Sequence, residues 1–182
     1  MGYTRIIIVG SIAAIVGAIP MVASQAPTGL PGEGDALWKV HLAGVEESLG
    51  RGDLGAAERA SRLAYGEAVW SRRWEAMIAA GDTALRLGQA EGRRQAFEPA
   101  ARRAYRAALL RARGQGSLDG VLRAAEAFAA LGDREVAQGC LRIAEGLAAQ
   151  TADPEAHARV EAFRERLASR WPDPGTPGPG FF

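Results

Sequence analysis

The chain has 182 residues, 48% of them apolar and 24% charged, which suits one packed domain with appendages. Its net charge of +1 includes Arg5 near the N-terminus, so the rest is formally neutral. Without a basic stripe it is expected not to bind nucleic acid. A single cysteine, Cys140, excludes an internal disulfide.

Residues 1–24 follow the plan of a secretory signal. Arg5 precedes the uncharged run IIIVGSIAAIVGAIPMVA, Pro20 breaks it, and Val22-Ala23-Ser24 offers small residues for cleavage. Two readings stand: a signal cleaved after Ser24, or an uncleaved anchor helix, since residues 6–23 approach the lower limit of a membrane span of about 17 residues. Both place the remainder outside the cytoplasm. Residues 25–34 read as a Pro/Gly linker, 35–170 as the folded domain and 171–182 as a disordered Pro/Gly-rich tail closed by Phe181-Phe182, where a docking tag and a tolerated remnant are the two readings.

Caps and breakers predict seven helices and no strand. Asp35 starts the first, Asp53 the second, Ser71 the third and Ala90 the fourth, in which Pro99 predicts a kink or break. Ser117 caps the fifth, Asp133 opens the sixth and Asp153-Pro154 the seventh. Aligning the chain on Gly52, Gly88 and Gly132 as turn glycines places Val45, Gly81 and Ala125 seven residues before the turn. Ala57, Arg93 and Ala137 fall five after it, and Ala64, Ala100 and Ala144 twelve after. Small residues at such columns let helix axes approach closely.

This pattern, clearest in VLRAAEAFAALGDREVAQGCLRIAEGL (residues 121–147), resembles the tetratricopeptide repeat, with its small-residue columns and Gly-Asp turn. The turn intervals of 36 and 44 residues and Arg93 in a small-residue column depart from the family's 34-residue unit. The resemblance implies an all-α fold: a short α-α superhelix, or solenoid, of about three helix-turn-helix units with a C-terminal capping helix. A generic helical bundle is the alternative. The resemblance also implies a concave groove lined by the first helix of each unit. By column the groove would carry Lys39, Leu42 and Glu46 from the first unit, Glu75, Ile78, Asp82 and Arg86 from the second, and Asp119, Leu122 and Glu126 from the third, with Leu49, Leu85 and Ala129 beside them.

Glu46, Asp82 and Glu126 form an acidic column suited to a peptide or helix with basic and apolar residues, unless these acids are simply paired with neighbouring arginines. Trp70 and Trp74 are expected on one helix face, packed between the first two units or serving as a surface anchor, with Trp38 and Trp171 at the exposed edges. His41 and His157 lie on different helices without a ligand partner at helical spacing. No catalytic, metal or cofactor site is therefore expected, leaving only a minimal enzyme built on Cys140 as the rival chemistry.

The sequence thus reads as a non-catalytic interaction scaffold or adaptor in a bacterial periplasm. The alternative is an accessory subunit held in a membrane complex by an uncleaved N-terminal helix, a single span of the inner membrane with its domain in the periplasm. Membrane contact is then expected only through residues 6–23.

Overall fold

A computed structural model describes residues 34–172. The expected signal or anchor, most of the linker and most of the tail lie outside that range. The described residues form seven α-helices and no strand: α1 (Gly34–Gly50), α2 (Leu54–Ser71), α3 (Trp74–Ala90), α4 (Arg94–Gly114), α5 (Leu118–Ala130), α6 (Arg134–Ala148) and α7 (Pro154–Arg170). The protein is all-α. No helix among these residues is long and apolar enough to cross a membrane.

Local chemistry sets the boundaries. The Asp53 carboxylate accepts from the Ala56 amide (2.8 Å), the Ser117 hydroxyl from Gly120 (3.1 Å) and Asp153 from Glu155 (2.9 Å), each satisfying an amide that has no partner within its helix. Gly52, Gly92, Gly116 and Gly132 take positive φ in the turns.

The second turn is a correction to the sequence alignment. It falls at Gly92, not at Gly88, so turn glycines recur at 52, 92 and 132 with a constant interval of 40 residues. Gly88 is buried inside α3, where a Cβ would lie 2.7 Å from the Phe97 ring. In the corrected register two small-residue columns are uniform. Ala64, Ala104 and Ala144 stand twelve residues after the turn, and Ala68, Ala108 and Ala148 sixteen after, all buried.

Two further expectations change. The third helix starts at Trp74 rather than Ser71, because Arg72 adopts a left-handed backbone (φ 56°) that ends α2. Proline does not break α4, which continues through Pro99. At the sixth position of the helix, the missing N–H leaves unpaired only the carbonyl of Gln95, an exposed residue.

Helices pack in chain order. α1 lies on α2, α3 on α4 and α5 on α6, while each odd-numbered helix also touches the next odd-numbered one. One alanine-rich core runs from Trp38 to Leu167, with Met77, Tyr105, Phe128 and Phe163 as its large members. Where alanines face each other the helices close up, and a few large rings fill what remains.

Arginines clamp the junctions. Arg111 donates to the carbonyls of Ala68 (2.8 Å), Val69 (2.9 Å) and Arg73 (3.0 Å), tying the last turn of α4 to the end of α2. Burial lowers its pKa. Arg102 donates to the Asp133 carboxylate (2.8 Å) and to Glu98 (3.1 Å), and Asp133 above all raises its pKa. Forty residues earlier the same two positions hold Arg62 and Arg93, two cations, and Arg62 turns instead to Glu58 (2.8 Å). A cleft of about 560 Å³ opens there between α2 and α4, with Tyr65 and Phe97 on its walls and Leu87 below.

Candidate functional site

A groove of about 570 Å³ runs along the odd-numbered helices. α3 contributes Trp74, Glu75, Ile78, Ala79 and Asp82; α5 contributes Asp119, Leu122, Arg123 and Glu126; α7 contributes Arg159, Ala162 and Arg166. Every lining residue comes from the first helix of a pair or from the seventh helix. Spacings of three and four residues on α3 and α5 aim these side chains to one side. Ile78 and Leu122 form a largely buried floor, and charged groups stand around it.

Six residues expected from sequence meet here: Glu75, Ile78, Asp82, Asp119, Leu122 and Glu126. The others lie elsewhere. Leu42 packs against the core, Lys39 sits 5.4 Å from the centre of the Trp38 ring, and Arg86 pairs with Glu46 at 2.7 Å. In the 40-residue register Arg86, not Asp82, is the counterpart of Glu46 and Glu126. The continuous acidic column is thus corrected to acid, base, acid. Arg159, Ala162 and Arg166 escaped the sequence reading because the seventh helix reads from sequence only as a cap, while Arg123 and Trp74, on α5 and α3, stand outside the columns assigned to the groove. The spacing of Arg159, Ala162 and Arg166 on α7 was the available signal.

Each acid pointing into the groove has an arginine beside it. Arg123 reaches Asp82 at 3.2 Å and Glu126 at 3.5 Å; Arg166 reaches Glu126 at 3.1 Å and stacks on the Phe163 ring; Arg159 pairs with Asp119. Half-exposed pairs of this kind contribute little to stability, typically below about 1 kcal/mol, so their partners are exchangeable. Asp82 is held more firmly, because the buried Tyr105 phenol donates to it at 2.7 Å. Burial, reinforced by Asp82, moves the Tyr105 pKa well above its ordinary value. The Tyr105 ring is itself fixed edge-on to Phe128 at 6.0 Å.

The tryptophans divide differently from expectation. Trp74 lines the groove, whereas Trp70 ends α2 on a separate helix and is 83% exposed rather than buried between units. Trp38, expected at an exposed edge, is buried.

His41 and His157 stand on α1 and α7, the latter with Nδ1 2.9 Å from the Asp153 carbonyl. Among the described residues no group of three or more His, Cys, Asp or Glu side chains is placed to hold a metal ion. Cys140 is buried, and burial pushes its thiol up to about 11 from 9.0. A raised folded-state pKa gives stability that is intact below about pH 9 and lost as pH rises towards 11. The melting temperature should accordingly fall more steeply between pH 9 and 11 in the native chain than in Cys140→Ala. Parallel slopes would show that the thiol contributes nothing.

No family model, curated protein or solved structure matches the chain.

Proposed function

We propose that the domain is a non-catalytic scaffold that holds a segment of another polypeptide in the groove between α3, α5 and α7. The single observation that carries this reading is the make-up of that groove: an apolar floor of Ile78, Leu122 and Trp74 under a rim of exchangeable ion pairs. An apolar strip with a charged border suits a helix or extended peptide carrying spaced apolar anchors. Its carboxylates, Glu75, Asp82, Asp119 and Glu126, outnumber Arg123, Arg159 and Arg166, which favours a partner with basic residues beside those anchors.

The order of packing supports a short tetratricopeptide-like superhelix with α7 as its cap. Its 40-residue unit is longer than the family's, so the likeness lies in the small-residue columns and paired helices rather than in unit length. With residues 1–24 as signal or anchor, the scaffold works in the periplasm, free or tethered.

Reversing one charge inside the groove and one outside tests the reading. Glu126→Arg should weaken partner capture from a periplasmic extract at least fivefold, and Glu46→Arg, outside the lining, should leave it unchanged, with helicity equal in both. Equal losses would place recognition elsewhere.

A further inference from the structure

One set of side chains occurs twice in the chain and is completed by carboxylates only once. Glu58, Arg62 and Tyr65 on α2 have their counterparts forty residues on, in Glu98, Arg102 and Tyr105 on α4. In both copies the arginine reaches the glutamate one turn before it through Nη1, at 2.8 Å and 3.1 Å. In the second copy the remaining donors also meet acids: Arg102 Nε donates to Asp133 at 2.8 Å and the Tyr105 hydroxyl to Asp82 at 2.7 Å. In the first copy the positions of those two acids hold Arg93 and Leu42. Among the described residues Arg62 Nε and the Tyr65 hydroxyl consequently have no acceptor, and Arg103 pairs with no acid.

These three side chains line the cleft of about 560 Å³ between α2 and α4, where exposed Arg62 and Arg103 stand over buried Ala80 and Leu87. Glu58 is the one acid among its lining residues, and Arg62 already answers it. The wider surroundings keep the same sign. α2 and α4 together carry eight arginines against Glu58, Glu67 and Glu98, and the flanking turns add Asp53 and Glu91 against Arg51, Arg72, Arg73 and Arg93. Further along, Arg111 ties α4 to the Ala68 and Val69 carbonyls of α2, so the cleft is blocked at that end and an extended peptide has no path through it. A blind apolar slot with donors at its mouth, within the range of about 300–1,000 Å³ usual for small-molecule sites, suits a compact ligand with one anionic end.

We propose that this cleft binds a small amphiphile with a carboxylate head. Its apolar body lies on Leu87 between Tyr65 and Phe97, and its carboxylate meets Arg62 as Asp133 meets Arg102. The cleft shares no lining residue with the groove on α3, α5 and α7, so the two assignments stand or fall independently.

The test is calorimetric titration of the full chain with dodecanoate below its micellar concentration. The native chain should bind it saturably, and Arg62→Met should weaken binding at least fivefold. Arg93→Asp, which gives this junction the acid that its successor has, should engage Arg62 and weaken binding at least tenfold while raising the melting temperature. Both variants should keep native helicity. Dodecanoate that does not saturate the native chain, or that binds both variants as tightly as the native chain, would overturn the proposal. So would equal binding of dodecylammonium with the same sensitivity to Arg62→Met, or binding of the peptide acetyl-Phe-Glu-Phe-amide in place of dodecanoate, which would assign the cleft to a polypeptide.

Discussion

Replacing Gly120 with alanine should lower the melting temperature by several degrees, the largest stability effect expected from adding a single methyl group here. A Cβ at this position would lie 2.5 Å from the Ala112 methyl and 2.8 Å from the Trp74 ring. Ala112 is buried on α4 and has no rotamer with which to retreat, so relief requires α5 to move away from α4. Overpacking of this kind costs about 1–3 kcal/mol, and for a domain of this size each kcal/mol lowers the melting temperature by about 2–4 °C. Gly81→Ala, whose Cβ would meet the Tyr105 ring at 2.3 Å, is the matched comparison, because there the obstacle is a ring with rotatable bonds rather than a methyl fixed to the backbone. Thermal unfolding followed by circular dichroism reads both. A Gly120→Ala chain as stable as the native one would mean that α4 and α5 do not approach as closely as described.

The largest functional effect should come from Ala162→Trp. Ala162 is exposed on α7 and faces Ile78 and Leu122 across the groove, so an indole there occupies the partner's place without entering the core. Capture should fall at least about tenfold, the equivalent of about 1.4 kcal/mol in binding, while the melting temperature stays that of the native chain. Unimpaired capture with a filled groove would remove the binding assignment.

Much of the helical plan was legible because it depends on local chemistry. Asp53, Ser117 and Asp153-Pro154 announce helix starts through groups a few residues away, and each does what its sequence position implies. The error at Gly88 arose from a property that is not local. A glycine that turns the chain and a glycine that lets a ring approach look alike until the position of Phe97 is known, and the true turn at Gly92 is followed by Arg93 instead of aspartate. That four-residue slip placed Asp82 in the column that Arg86 occupies and turned a mixed column into an acidic one.

The end of α2 was hidden for a similar reason. Arg72 takes a left-handed conformation that glycine usually marks, and the carbonyls there are satisfied by Arg111, some forty residues away. Trp70 and Trp74 consequently fall on different helices. In the groove, the walls on α3 and α5 could be read from helical spacing. The third wall could not, because it depends on how α7 settles on α6 and α5, with Val160, Phe163 and Leu167 in the shared core.

Site-specific photocrosslinking tests the central claim most directly. A photoreactive phenylalanine is placed at Asp119, on the rim of the groove, and in a second chain at Glu135, exposed on α6. On irradiation in cells, the Asp119 position should yield a discrete adduct with another polypeptide, suppressed by Ala162→Trp, and the Glu135 position should yield none. Adducts of equal intensity at both positions, or an Asp119 adduct that survives the filled groove, would contradict a scaffold that grips its partner between α3, α5 and α7.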